Sequence, residues 1–477
     1  MDAGAGRTLG RWCATETADF HLLSDLPEQE QAGLLETLRR IGPVAEPLLP
    51  GTPVSQPAAL KIIVFSGRDD FRALTGKRKF AAFMQPSLQT NRLLVGPTGS
   101  SLTGTILHEY AHYLLRNRLD VSLPLWFDEG LASVLAEARF DDSTVTLGEL
   151  PLSRLQSRVS DPPEGPQPLG MLNRTLSATA IEDWHQSRIE AFYDWSWLLV
   201  HYLYFETLEA GPIAGSPLES FLSERDTSLP DFLGETPKSL LRTLQRYVRS
   251  RPRQVERASP VVLAGDARHA CLSPLDRDLE LARAVLVQNP EGALDLISPW
   301  LEQRPDDVDL LVVRARIAQA ADQPDEALIF SEAALALAPD HAPASILLAD
   351  LTVWDCLLEL GEACRDRWVQ ARTLYQRALR HDPSRFDGVL GLGLAYLYTG
   401  RPGEALNYIR VAYSRAPWAA LANYYLGESY RLIGDTRARG YLINARNWAT
   451  EPVWRLLAEE SLRRIDQGGV DPSSDLQ

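Results

Sequence analysis

"TILHEYAHYLLRN" (105–117) carries two histidines four positions apart and a glutamate directly after the first. In a helix, positions i and i+4 lie on one face, so His108 and His112 can both direct a ring nitrogen at one ion. Glu109 is turned about 100° from His108 and is badly placed to join them as a ligand. It stands instead where a carboxylate can take a proton from water held at the ion's open position. A catalytic zinc uses three protein ligands and keeps a fourth place for water, so one more ligand has to come from elsewhere.

The next segment offers it. "LPLWFDEGLASVLAEA" (123–138) reads as a helix entered at Pro124 after a seven-residue connection from Asn117 to Leu123. Helices joined so briefly tend to run antiparallel and touch, which brings the start of the second back toward the histidines. Glu129, seventeen residues beyond His112, is then placed as third ligand. A His, His, Glu set is the hydrolytic type, and the expectation is one Zn2+ per chain held by His108, His112 and Glu129, with Glu109 as general base. Hydrolysis also needs a donor for the developing oxyanion. "EAFYDWSWLLVHYLYFE" (190–206) offers Tyr193, His201, Tyr202 and Tyr204, of which Tyr193 is preferred because it precedes the most apolar part of the helix. An aromatic stripe at helical spacing is otherwise core. His21, His185, His269, His341 and His381 have no partner at ligand spacing and are expected to be structural or solvated.

Around this segment the first 250 residues mix two periodicities. "KIIVF" (61–65) and "RLLVG" (92–96) are short apolar runs bounded by turn residues, which suits strands of a small sheet. "EQEQAGLLETLRRIGPVAEPLL" (28–49) has helical spacing, with Leu34, Leu35, Leu38 and Ile41 on one face. An α+β domain over residues 10–250 follows. From Arg249 the chain turns Arg/Pro-rich ("RSRPRQVERASP"), so 251–275 reads as a linker, and a chain ending near Pro260 is expected to fold alone.

The second half repeats. Ala293, Ala327, Ala371 and Ala405 step by 34, 44 and 34 residues, as do Pro305, Pro339, Pro383 and Pro417. A 34-residue period with Ala in the second helix and Pro at its end is the tetratricopeptide (TPR) signature, two antiparallel helices per unit. The longer step requires about ten inserted residues within "TVWDCLLELGEACRDR" (352–367). Stacked helix pairs form an all-α superhelix whose concave face binds peptides or protein partners, expected over 276–467, with 468–477 a disordered tail.

Composition bounds the rest. With 477 residues, 45% hydrophobic and 23% charged, the chain can bury more than one core. A net charge of −15 argues against a nucleic-acid partner. No run approaches the roughly 18 apolar residues of a transmembrane segment. The start, "MDAGAGRTLGRW", has no signal-peptide pattern, so the chain reads as soluble and cytoplasmic as it stands, and as periplasmic or secreted if a signal preceded residue 1. All but four of the 48 basic residues are arginines, a codon-usage sign of a high-GC bacterium. Cys13, Cys271, Cys356 and Cys364 are expected as unpaired thiols, a Cys356–Cys364 bridge being the main exception.

"ILHEYAHYLL" followed by "LPLWFDEGLA" resembles the gluzincin metallopeptidases, in particular the bacterial branch in which W-x-x-E-G-L-A provides the glutamate ligand. "TETADFHLLSD" (15–25), "KIIVFSGRDDFRAL" and "FAAFMQPSLQTNRLLVG" are similar to the opening strand, next strand and substrate-side region of peptidase MA-like domains. The resemblance covers roughly residues 10–250, and that group often carries appended TPR repeats. It implies a zincin-like fold, His108, His112 and Glu129 on zinc, Glu109 as base, and a protein or peptide substrate. Thermolysin-like members place an aspartate four residues after the third ligand to support a histidine, and here that position is Ser133. The expected function is a zinc metalloendopeptidase whose TPR concave face recruits substrate or partner. The alternative is a non-enzymatic TPR adaptor or assembly protein with a structural or vestigial metal site.

Overall fold

A computed structural model describes residues 9–467 apart from 18, 56, 77–80, 86, 98–100, 120–122, 150–151, 161–166, 180, 182, 225–227, 251–253, 260–266, 358–361 and 450–451. The segment 468–477, read from the sequence as a tail, lies outside them. The chain is mostly helical with a small sheet region, and it divides into two compact units. One comprises residues 1–28, 56–97 and 266–477, the other residues 29–55 and 98–265. Neither is one continuous stretch of chain, whereas the sequence suggested consecutive domains at 10–250 and 276–467.

In the first unit a six-stranded sheet runs in the order Arg268–Cys271, Cys13–Glu16, His21–Ser24, Ala59–Val64, Thr90–Val95, Ala82–Gln85. His21–Ser24, Ala59–Val64 and Thr90–Val95 are parallel, and the remaining pairings are antiparallel. The two apolar runs of the sequence fall on the second and third of these parallel strands. Ile62, Ile63, Val64, Leu93, Leu94 and Val95 are fully buried, which is why they read as continuous apolar stretches without alternation.

Trp12, Leu23, Ile63, Phe65, Phe71 and Leu94 share one core with Leu281, Ala284, Val285, Ile297 and Val313. The latter group comes from the helices Pro274–Val285, Pro290–Gln303 and Val308–Ala320. The first repeat helices therefore cover the sheet. Residues 251–275, read as a linker, contain the strands Val255–Ala258 and Arg268–Cys271, one in each unit. The expectation of unpaired thiols is corrected for Cys13, which is bridged to Cys271, 258 residues away, while Cys356 is bridged to Cys364, the exception named from the sequence. The first bridge joins residues that are direct partners in the strand pair, a neighbourhood that local sequence does not reveal.

Beyond the sheet, helices alternate in pairs: Val308–Ala320 with Pro324–Leu337, Ala342–Thr352 with Glu362–His381, Phe386–Tyr398 with Pro402–Arg415, and Ala420–Leu432 with Ala438–Trp448. Pro452–Asp466 follows. Ala293, Ala327, Ala371 and Ala405 each lie fully buried on the second helix of a pair, where a small side chain suits close helix packing. Gly400 turns one pair with φ +78°, a left-handed conformation that favours glycine. The 44-residue step appears as a 3-10 turn at Trp354–Leu357 and a lengthened helix Glu362–His381, tied by the Cys356–Cys364 bridge. Among the described residues no helix is long and apolar enough to cross a membrane.

The second unit contains most of the helix Glu28–Ala45, together with Leu102–Arg116, Leu125–Ala136, Gln186–Tyr202 and Pro237–Arg249. Its three-stranded sheet has the order Val255–Ala258, Thr144–Leu147, Arg139–Phe140. The buried Arg40 guanidinium donates to the carbonyls of Ser259 (3.0 Å) and Thr144 (2.9 Å), fixing the first helix to that sheet.

Because helices 274–320 belong to the sheet's core, truncation after Pro260 removes both an outer strand and the cover of Trp12, Phe65 and Phe71. The truncated chain is expected to aggregate or to lose cooperative thermal unfolding, as read by circular dichroism and gel filtration. A monodisperse, cooperatively melting product would contradict the shared core.

Candidate metal centre

The cluster lies wholly in the second unit. Helix Leu102–Arg116 is capped by Ser101, whose hydroxyl accepts from the Gly104 amide at 3.3 Å. Its periodicity buries Ile106, Leu107, Tyr110, Ala111 and Leu115 and sets His108 and His112 one turn apart, ring centroids 4.9 Å from each other. Helix Leu125–Ala136 starts after Pro124, which is extended and whose carbonyl accepts from Phe127 and Asp128. The buried Trp126 and Phe127 anchor its first turn.

Gly130 sets how close this helix comes to Gln186–Tyr202. A Cβ at Gly130 would stand 2.3 Å from the Ser196 carbonyl oxygen, so only glycine permits the approach. That contact accounts physically for the E-G step in "WFDEGLA": one residue lies against the neighbouring helix while the residue before it faces the histidines. Glu129 Oε2 is 3.3 Å from His108 Nε2 and 3.5 Å from His112 Nε2.

The donor set fits zinc. The ligand atoms of His108, His112 and Glu129 lie within 4.8 Å of one another. Glu129 Oε2 is buried without a hydrogen-bond partner, although two ring nitrogens stand beside it. Ligands at ~2.0–2.1 Å in a tetrahedral arrangement are separated by roughly 3.3–3.4 Å, close to the 3.3 and 3.5 Å between Glu129 Oε2 and the two ring nitrogens. Two neutral imidazoles and a carboxylate are the donors of hydrolytic zinc sites.

Asp128 is the residue that sequence reasoning missed. His112 Nδ1 donates to Asp128 Oδ1 at 2.7 Å, and Arg116 Nη2 approaches Asp128 Oδ2 at 3.4 Å. This bond fixes the imidazole tautomer and turns Nε2 toward Glu129, the support that metal-ligating histidines need. Ser133 does not supply it. The available signal was the "DE" pair itself, in which the residue before the ligand reaches the outer nitrogen of the same histidine. Burial disfavours charge on His112, but Asp128 and Glu129 outweigh it and hold the ring up to about 10. Burial likewise opposes ionisation of Glu129, yet His112 and His108 hold it well below the usual carboxylate range.

Tyr193 is the aromatic candidate that reaches the cluster, its ring centroid 6.0 Å from that of His108. Burial first, then the carboxylates of Glu129, Glu109 and Asp128, push its phenol far above the ordinary value, so it remains a proton donor at neutral pH. The other candidates serve the core. His201 is stacked between Trp197 and Phe205, with Nδ1 2.7 Å from the Tyr247 hydroxyl and Nε2 3.0 Å from the Gly148 carbonyl. Burial lowers its pKa to about 4 and keeps it neutral. Tyr204 donates to the Ala210 carbonyl, and Tyr202 packs edge-on against Tyr247. Of the remaining histidines, His185 and His341 cap helices, His21 and His381 pair with Glu16 and Asp340, and His269 stands beside Cys13 and Cys271.

No family model and no curated protein matches the chain. Among solved structures it is similar to a thermophilic TPR protein of Thermus thermophilus, at 21% identity over 40% of this chain and 99% of that one, TM-score 0.34. It is also similar to a point mutant of MamA, at 20% identity over 37% and 95% of the two chains, TM-score 0.29. A further MamA structure, from MSR-1, matches at 18% identity over 39% and 96%, TM-score 0.28. Overlaps of this size carry no argument about the metal cluster.

Asp128→Asn keeps the shape of the side chain but removes the charge that orients His112. Zinc affinity, measured by competition with a chromogenic chelator, is expected to fall about 10- to 100-fold with the fold retained. Unchanged affinity would remove Asp128 from its positioning role.

Proposed function

We propose that the chain is a protein-binding repeat protein whose second compact unit carries a hydrolytic zinc centre, making it a metallopeptidase of gluzincin type. Partner binding is the broader part of this reading and rests on the stacked TPR-like helix pairs, whose concave surfaces serve protein recognition. The observation that supports hydrolysis is the convergence of His108, His112 and Glu129 around a buried, unmatched carboxylate oxygen, with Glu109 next in sequence to His108 and not in that set. Zinc bound there would supply a Lewis acid and an acidified water. Glu109 accepts the proton from water and returns it to the leaving amine. Tyr193 keeps its phenolic proton and offers it as a hydrogen bond to the oxygen that gains charge. Asp128 holds the His112 tautomer throughout.

A second reading keeps the repeat and drops the chemistry: an adaptor or assembly protein with a structural or vestigial metal site. It is favoured by the repeat itself, since stacked helix pairs of this kind serve recognition and seldom carry catalytic groups. Glu109 separates the two readings, because a structural site has no use for a base next to its ligands.

Purified protein grown with zinc and without chelator is expected to hold about one zinc per chain in the His108/His112/Glu129 centre, with Glu129→Ala losing most of it. Glu109→Gln should keep the metal and lose about 10²- to 10⁴-fold in peptide-library cleavage. Zinc retained with no cleavage by the wild type would favour the adaptor, and cleavage unchanged in Glu109→Gln would remove Glu109 as base.

A further inference from the structure

The outer strand pair of the sheet gathers a second set of metal-type donors. Cys13 is paired with Cys271 and Thr15 with His269 in the antiparallel register. Side chains two apart on a strand point to the same face, so Cys13, Thr15, His269 and Cys271 share one face. One ligand atom from each of Cys13, His269 and Cys271 lies within 4.8 Å of the others. His269 Nδ1 is 2.8 Å from the Thr15 hydroxyl, which leaves Nε2 free, and Nε2 stands 4.0 Å from Glu28 Oε2. Among the described residues, the His108 cluster is the other such donor set.

We propose that Cys13, His269 and Cys271 form a redox-gated zinc site: a disulfide when oxidised, and a Cys2His ligand set when reduced. The exchange balances with a dithiol as reductant. Its two sulfurs join in a new disulfide, the Cys13–Cys271 S–S bond breaks, and two thiols form on this chain. Zinc then displaces both thiol protons and is held by two thiolates and the His269 Nε2, donors suited to a borderline-soft ion. With Nδ1–H donating to the Thr15 hydroxyl, His269 would present Nε2 to the metal, as an outer hydrogen-bond partner arranges for ligating histidines. The consequence is structural. The link between strands 258 residues apart persists in both redox states, once as cystine and once through the metal.

Cobalt distinguishes this site from the His/His/Glu centre, because only thiolate ligands give a near-ultraviolet charge-transfer absorption. Cys356→Ser/Cys364→Ser protein, which retains a single cystine, is titrated with Co2+ before and after reduction by a phosphine, which brings no thiol of its own. The oxidised form is expected to show no charge-transfer band. The reduced form should gain the band with about one further equivalent of metal, be bleached by Zn2+, and melt at a higher temperature with zinc than without. His269→Gln should weaken this binding by roughly tenfold or more, and Cys271→Ser should abolish the band. No band on reduction, or a band that persists in Cys271→Ser or is undiminished in His269→Gln, would overturn the assignment and leave the bridge a plain staple.

Discussion

Two adjacent carboxylates, Asp128 and Glu129, are carried into the interior at the start of one helix, and the candidate centre depends on how their charge is met. Taking a carboxylate out of water costs several kcal/mol even after relaxation. Around this pair stand His112, His108 and Arg116, each placed by one face of the preceding helix. Each carboxylate has its own role: Asp128 takes the outer nitrogen of His112, while Glu129 faces the inner nitrogens of both rings. Burial opposes charge on His112, but Asp128 and Glu129 outweigh it and hold its pKa up to about 10, so a proton on this ring offsets part of the negative charge. A divalent ion held there would take over that task and would have to displace the proton, so metal binding is expected to weaken as pH falls.

Backbone geometry enforces the arrangement. Helix Leu125–Ala136 is held against Gln186–Tyr202 at Gly130, and a side chain there would collide with the Ser196 carbonyl. The same aromatic helix brings Tyr193 beside His108 and buries His201 two turns further on. One helix thus contributes both a group at the centre and the core that holds it.

Much of this could be read from the sequence because it is local. The H-E-x-x-H and E-G spacing and the two apolar strands each lie within a few turns of chain, where periodicity reports which residues share a face, and the 34-residue step is legible because it recurs. What could not be read depends on pairing across long separations. The strand Arg268–Cys271 lies in a segment whose composition is that of a linker, and its partner is near residue 13. The Cys13–Cys271 bridge and the approach of His269 to it follow from that pairing alone. Likewise, helical spacing marked Tyr193, His201, Tyr202 and Tyr204 as one aromatic group but could not say which of them meets the histidines. Asp128 is hard to read for a different reason: it directly precedes Glu129, whereas the thermolysin-like pattern places the supporting carboxylate four residues after that position, here Ser133.

The central claim, that His108, His112 and Glu129 bind zinc, is tested most directly by zinc K-edge X-ray absorption on the oxidised full-length protein. The account predicts nitrogen and oxygen ligands at ~2.0–2.1 Å, with the multiple-scattering pattern of two imidazoles and no sulfur. A zinc shell containing sulfur at ~2.3 Å, or zinc bound without imidazole, would contradict it.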